Sequence, residues 1–348
     1  MIKTYLAYDD VLLLPNYSAI TPSRTDLEGR LSERIRLKIP IVASPMDTVC
    51  EKEMALAIGR TGGYGIIHRN MSVVKQADQL VWVLKQGVKA GAAVGVGLDM
   101  KDRVETLIKA GAKEICVDSA HGHTKHVGEA TSWIKNHFKV EVISGNVATA
   151  AGAEFLFKLG ADAVKVGMGP GSICTTRIMS GMGVPQLSAV IDCFKAAKKF
   201  KGKIIADGGI KTSGDMVKAL AAGADAVMLG SLLAGTDEAP GKKIKIKNNW
   251  FKTYRGMGSS AAMKLGSATR YGQVKTAKQF VPEGVEGMVE YQGKLEKVIY
   301  QLVGGLRSGM AYLGAKNLKE LQQKAKFIQI TSAAWAESKP HSLYDYRH

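Results

Sequence analysis

The sequence predicts an α/β chain folded as one (β/α)8 barrel of the TIM type, with an active-site flap inserted after the eighth strand on its C-terminal side. Three observations lead there. Short runs rich in Val and Ile alternate with longer amphipathic stretches, and their composition suits strands buried on both faces. These runs give way at their C-terminal ends to Gly, Asp, Asn, Ser or His, the residue types that collect at the mouth of a barrel. No G-x-G-x-x-G joins a first strand to a first helix, which counts against an open dinucleotide-binding sheet.

In chain order, the expected strands are Pro40–Ala43, Gly65–Ile67, Ala92–Val96, Ile115–Val117, Val142–Ile143, Ala163–Val166, Ile204–Ala206 and Ala226–Leu229. Helical stretches between them include Met100–Ala110, Ala151–Leu159 and Ser213–Ala221, two of which run into Gly-Ala-Asp, a natural helix stop. Strand ends carry Ser44-Pro45-Met46-Asp47, His68-Arg69-Asn70, Asp118-Ser119-Ala120-His121-Gly122, Gly145-Asn146, Asp207-Gly208-Gly209 and Gly230-Ser231. From about Glu238 to Glu296 the pattern breaks into a polar, Gly-punctuated insertion, followed by an amphipathic helix around Leu295 to Gly304. Tyr254 to Ser259 and Val281 to Gly287 read as specified turns within it, so the insertion is expected to be a functional flap rather than a disordered tail. The final residues, Ser342 to His348, carry no functional signal.

At 348 residues, 46% hydrophobic and 23% charged, the chain can bury one large core or two modest ones, so pattern decides the domain count. Cys50, Cys116, Cys174 and Cys193 lack paired metal-ligand spacing, and a chain this long needs no disulfide framework; a reducing, cytoplasmic setting is expected. Asp9-Asp10 interrupt the N-terminus, and no run of about 18 apolar residues exists, so a soluble protein without a membrane partner is expected. The net charge of +17 suits polyanions or phosphorylated small molecules. Its densest clusters, Lys195 to Lys203 and Lys242 to Lys247, lack the regular aromatic interleaving of a base-stacking surface. A basic nucleic-acid-binding protein therefore stands as a distant alternative.

The stretch Lys165 to Arg177 sets Cys174 in a glycine-rich turn just after an apolar strand. Glycines let the backbone approach a ligand closely, and backbone donors there lower a thiol's pKa and favour the nucleophilic thiolate. Gly209 and Gly230-Ser231 end the last two strands, where barrels often bind phosphate, and with Ser172 of the cysteine turn they offer neutral donors. Asp207 suits ribose hydroxyls, with a helix N-cap as its structural alternative. Cys174 would face whatever the phosphate anchors, and Thr176 is placed to relay a proton.

These motifs, with Ala206-Asp207-Gly208-Gly209-Ile210, Tyr254-Arg255-Gly256-Met257-Gly258-Ser259 and Val281-Pro282-Glu283-Gly284-Val285-Glu286-Gly287, resemble the inosine 5′-monophosphate (IMP) dehydrogenase and GMP reductase superfamily from about Tyr8 to His341. Reductases resemble Gly-Met-Ser-Ser where this chain has Gly256-Met257-Gly258-Ser259, and Arg270-Tyr271 stands where dehydrogenases place an Arg-Tyr pair. The dehydrogenase branch is therefore favoured: NAD-dependent oxidation of IMP to XMP, a step of guanine nucleotide biosynthesis. A GMP reductase, deaminating GMP with NADPH, is the alternative within the fold.

The resemblance implies that Cys174 attacks C2 of the hypoxanthine ring, that hydride leaves to NAD, and that water releases XMP from the covalent enzyme. It assigns the nucleotide to Ser172, Asp207, Gly209, Gly230, Ser231, Tyr254, Gly256 and Gly258, with Met257 and Glu283 near the base. Asp118 would hold the nicotinamide ribose, with Asn146 close to the reacting groups. Arg270 is the implied water-activating base, aided by Tyr271, although an arginine must first lose charge through burial to serve; Thr176 with Glu283 is a second proton route. The resemblance further implies a potassium ion (K+) held by carbonyls of Gly169, Gly171 and Cys174 and by Glu337, Ser338 and Lys339 of a neighbouring subunit, hence a homotetramer. Only one helix's worth of residues separates Met71-Ser72 from Gly91-Ala92-Ala93, so the chain is expected to be a single catalytic domain without the CBS regulatory module.

Overall fold

The computed structural model describes residues 2–273 and 279–342; Leu343 to His348 and positions 274–278 of the expected flap lie outside the described residues. Eight parallel strands close on themselves: β1 (Ile41–Ala43), β2 (Tyr64–Ile67), β3 (Ala90–Val94), β4 (Glu114–Asp118), β5 (Glu141–Val147), β6 (Ala163–Val166), β7 (Lys203–Asp207) and β8 (Ala226–Leu229). The ring shuts where Val227 of β8 pairs with Ile41 of β1. Helices α1 (Lys52–Arg60), α2 (Val73–Lys85), α3 (Met100–Lys109), α4 (Lys125–His137), α5 (Ala150–Lys158), α6 (Gln186–Ala197) and α7 (Ser213–Ala221) return the chain between strands, and α8 (Leu295–Tyr312) follows the flap. The (β/α)8 architecture is as the sequence predicts. No described helix is long and apolar enough to cross a membrane.

Alternation along the strands builds two cores. Val42, Ile66, Cys116, Ile143 and Ile205 face the barrel interior, while Ile41, Ile67, Ile115, Val142 and Ile204 pack outward against the helices. A short hairpin, Gly29–Arg30 paired with Arg36–Leu37, closes the floor by adding Leu31, Ile35 and Leu37 to the interior cluster. Side-chain caps start four of the helices: Ser72, Thr124, Thr149 and Thr212 each accept from a backbone N–H of the first turn.

Three differences from the sequence reading have physical causes. The third strand runs from Ala90 to Val94 rather than from Ala92 to Val96; Ala90-Gly91 is too small to read as a strand, yet a Cβ on Gly91 would stand 2.7 Å from the Glu114 carboxylate. The fifth strand is longer than Val142–Ile143 and takes in Ser144 and the Gly145-Asn146 pair expected at its end. Inside it, Ser144 Oγ lies 2.7 Å from Thr131 Oγ1, and a Cβ on Gly145 would stand 2.7 Å from Lys165 Cβ. The flap, expected to be weakly patterned, holds a three-stranded antiparallel sheet of β9 (Lys243–Ile246), β10 (Asn249–Arg255) and β11 (Glu286–Glu290).

Candidate active site

The strand ends and the flap enclose a cavity of about 300 Å3 at the mouth of the barrel. Its walls include Ser172, Cys174, Asp207, Gly209, Gly230, Ser231 and Tyr254, together with Gly256, Met257, Gly258 and Glu283 from the flap. Asp118, Asn146, Gly169, Gly171, Arg270 and Tyr271 line it as well. Thr176 is not among the lining residues but sits behind the nucleophile, with its Oγ1 3.3 Å from Cys174 Sγ. Glu337 ends a short helix near the C-terminus, and neither it nor Ser338 nor Lys339 reaches the cavity of its own chain.

The cysteine turn fits where it does because glycine leads it off β6. A Cβ on Gly167 would come within 1.9 Å of the Asp207 carbonyl, so only glycine lets the turn lie against the end of β7. The flap is stitched to this turn through the backbone. Thr175 N donates to the Glu283 carbonyl at 2.9 Å and Val285 N to that of Ile173 at 3.0 Å, while within the flap Glu283 N donates to the Gly258 carbonyl at 3.0 Å. On the other side Ala120 N donates to the Arg270 carbonyl at 3.1 Å, tying the flap to the loop after β4.

Charge in the cavity is concentrated under the flap. Asp118, 2% exposed, has one carboxylate oxygen on Lys165 and the other on Arg270. Lys165 is itself 1% exposed and rises from inside the barrel. Arg69 lies partly buried nearby and donates to Thr269 Oγ1 at 3.3 Å; desolvation first, then the like charge of Arg270, pushes its guanidinium down to about 10. Burial raises the Tyr271 phenol, with Arg270 opposing and Cys174 and Glu283 adding to the rise. Burial likewise raises Tyr254, against a hydrogen bond to Ser172.

Gly258 and Tyr271 touch in a way that one residue type permits. A Cβ on Gly258 would stand 2.7 Å from Tyr271 Cζ and 2.8 Å from its oxygen. Across the cavity, Asn146 Nδ2 donates to Asp207 Oδ2 at 2.7 Å and to the Gly167 carbonyl at 3.0 Å. Asn146 Oδ1 is buried without a partner among the described residues, so the cavity retains an unused acceptor.

Several participants escaped the sequence reading. Lys165 was visible as the one charge in a buried strand, Ala-Val-Lys-Val, but the partner that accounts for it is 47 positions away. Asp47 grips Arg255 through both oxygens, at 3.0 Å from Nε and 2.8 Å from Nη2, and accepts from Asn70 Nδ2 at 2.7 Å. That clamp fixes the base of the Gly256–Ser259 turn to the end of β1, and a separation of 208 residues leaves no local signal for it.

The family described as IMP dehydrogenase / GMP reductase domain matches residues 5–341 of the chain. Over 98% of its length the chain is 42% identical to an inosine-5′-monophosphate dehydrogenase of Aquifex aeolicus, covering 96% of that protein. It is 43% identical to that of Cryptosporidium parvum over 97% of the chain and 95% of the relative. With that of Borreliella burgdorferi it shares 42% identity over 98% of each chain.

Proposed function

The chain belongs to the IMP dehydrogenase / GMP reductase family and is an enzyme that oxidises IMP in guanine nucleotide biosynthesis; we propose that it does so through a covalent adduct on Cys174. The observation that carries the dehydrogenase reading over the reductase one is the contact between Gly258 and Tyr271. The tyrosine beside Arg270 occupies the space that a side chain at position 258 would need.

In this reading Ser172, Tyr254, Gly209, Gly230 and Ser231 hold the phosphate, and Asp207 takes the ribose hydroxyls. Gly256, Met257, Gly258 and Glu283 surround the base. Cys174 Sγ adds to C2 of the hypoxanthine ring, forming a C–S bond. NAD, when bound, supplies the acceptor for the C2 hydride, and the unpartnered Oδ1 of Asn146 supports the fit of such a group beside Asp118. Arg270 pairs with Asp118 and would take a proton from water only as a neutral guanidine freed from that pair, with Tyr271 against it; Thr176 with Glu283 gives a second route for that proton. Oxygen replaces sulfur on C2, the thiolate leaves, and one water, one IMP and one NAD have become XMP, NADH and a proton.

The carbonyls of Gly169, Gly171 and Cys174 are hard, neutral donors that suit a monovalent cation, and potassium completed by Glu337, Ser338 and Lys339 of a neighbouring subunit is the proposed occupant. That arrangement requires an oligomer, a homotetramer. Helix α2 alone links β2 to β3, so we take the barrel as the only catalytic unit, without CBS control. The four cysteines are free thiols, in keeping with the cytoplasmic setting we propose.

The deciding assay compares IMP with NAD against GMP with NADPH, with and without potassium. NADH formation from IMP, lost on the order of 10^4-fold in Cys174→Ala, is expected. NADPH consumption and ammonia release with GMP would support the reductase instead, and NADH production surviving the substitution would remove the covalent step.

A further inference from the structure

A lysine of the flap stem is buried among backbone oxygens. Lys252 of β10 is 4% exposed, and its ammonium donates to the carbonyls of Thr236, at 2.8 Å, of Asp237, at 3.4 Å, and of Ala239. An ammonium has three N–H donors and no acceptor, so this set uses all of them. Among the described residues no carboxylate lies within ion-pair distance of it. The two acids of the same turn have other partners: Asp237 Oδ1 accepts from Tyr291 Oη at 2.7 Å, and Glu238 Oε2 from Leu295 N at 2.8 Å.

Burial pulls the ammonium's pKa down, and the charges of Asp237 and Glu238 counter that pull. Burying a cation away from carboxylates is costly unless hydrogen bonds replace its water, and an apolar side chain of similar volume would fill the same space at lower cost. Filling space is therefore not what lysine supplies here. Thr236 is fully buried, and carbonyls so placed need donors. Three bonds converging on one nitrogen fix the turn 236–239 relative to β10 in a way that an apolar contact does not.

Each of the two segments so joined carries residues that line the cavity. The turn follows the short helix Ser231–Ala234, at whose start stand Gly230 and Ser231. On β10, Lys252 and Tyr254 share the buried face, two positions apart, and Tyr254 reaches the cavity. The two sides meet closely: a Cβ on Gly230 would stand 2.8 Å from the Tyr254 oxygen, and that phenol also bonds to Ser172. Beyond Tyr254, Arg255 is gripped by Asp47 at the end of β1. The tyrosine is thus held from both directions along its own strand, by a carbonyl cage before it and an ion pair after it.

Resting on the assignment of the IMP phosphate to Tyr254, Gly230 and Ser231, we propose that Lys252 is a positioning residue for that phosphate: its ammonium sets the spacing between Tyr254 on the flap stem and Gly230 with Ser231 on the barrel. Lys252 is not among the residues lining the cavity and acts through Tyr254. Loss of its three bonds lets the turn and β10 drift apart, which weakens the hold on the nucleotide and leaves Cys174, on a different loop, in place.

The test titrates the intact protein with IMP by calorimetry and runs steady-state kinetics beside it. Lys252→Met keeps the stem and drops the ammonium; it is expected to raise Kd and KM for IMP about tenfold while kcat changes less than about threefold. A merely structural role would lower the number of IMP sites per chain and leave the affinity of the remaining sites unchanged, which would overturn the proposal. Lys252→Ala leaves room for propylammonium, which replaces the missing atoms and should recover IMP affinity by at least about threefold, whereas tetramethylammonium, with no N–H to donate, should not. Recovery with both cations alike, or with neither, would count against the carbonyl cage. Tyr254→Phe checks the phosphate assignment and should itself raise Kd for IMP about tenfold. A raised Kd in Tyr254→Phe beside an unchanged one in Lys252→Met would remove the role of Lys252 alone; unchanged values in both would remove the phosphate assignment and the proposal with it.

Discussion

At the mouth of the barrel a carboxylate, Asp118, is buried between two cations, Lys165 and Arg270, whereas at the floor Lys89, Lys113 and Lys139 stand in solvent and the carboxylate of Glu114 is buried without an ion pair among the described residues. The same strand, β4, supplies Asp118 at its end and Glu114 at its start. What differs is the company each keeps. Inside the mouth, charge is held in place to act on a small molecule; at the floor, it is either neutralised by burial or left free to project a field. An ion worth keeping buried needs partners, and the two ends can be told apart by removing them.

The largest expected effect is on the paired end. Lys165→Met leaves Asp118 buried with the flap arginine alone, and breaking a buried pair costs about 3–5 kcal/mol. The denaturant midpoint measures this, and a loss below about 1 kcal/mol would mean that Lys165 is a spectator. Arg270→Ala is expected to slow release of the adduct by about 10^2- to 10^3-fold while hydride transfer changes less. Intact-protein mass spectrometry after mixing with IMP and NAD should then find covalent enzyme accumulating; equal slowing of both steps would deny Arg270 its role with water.

The floor gives the next effect, and its sign follows from burial. Desolvation, opposed by a hydrogen bond from Tyr64 and reinforced by Glu141 and Asp162, pushes the Glu114 carboxyl up to about 8. Its folded value lies above the unfolded one, so the native state binds the extra proton. Stability from this group is whole below about pH 4.5 and falls as pH rises toward 8. Glu114→Gln should remove that slope, making the variant more stable than the parent at pH 8 by about 2 kcal/mol or more and no more stable at pH 4.5. Parallel stability curves across that range would show Glu114 to be ionised at a solvated site.

The smallest effect returns to the mouth. Gly258→Ser forces the Tyr271 ring to move, and displacement of a positioned group by a fraction of an ångström is expected to slow adduct hydrolysis by about tenfold. A burst of NADH followed by a slower steady state would report it; unchanged hydrolysis would mean that the contact is slack.

The eight barrel strands were legible because strands covered on both faces read as unbroken apolar runs, and the strand-end residues that line the cavity were legible because they follow those runs directly. The flap sheet was less so. In β9, Lys243-Ile244-Lys245-Ile246 does alternate, but its partner β10 is only partly buried and β11 beyond it is mostly exposed and interrupted by Gly287, so no run stands out. The interior of the mouth was hidden for another reason. Asp118, Lys165 and Arg270 were each visible, yet their meeting depends on barrel closure and flap docking, and separations of 47 and 152 positions leave no periodic trace. The same holds for Asp47 with Arg255. That β5 continues through Ser144 and Gly145 has no signal in the sequence, because polar, small residues inside a strand are meaningful only when Thr131 and Lys165 are seen against them.

The contact between Gly258 and Tyr271 also imposes an order on descent. A backbone that has tyrosine at 271 cannot first acquire a side chain at 258 without a clash against the ring, so the tyrosine must shrink or swing away before the glycine is replaced. Travel in the opposite direction is easier, since loss of a side chain at 258 leaves a gap into which an aromatic ring can later grow. Two positions 13 residues apart thus behave as one heritable character, and a lineage moving between the branches of this family would have a preferred direction of drift.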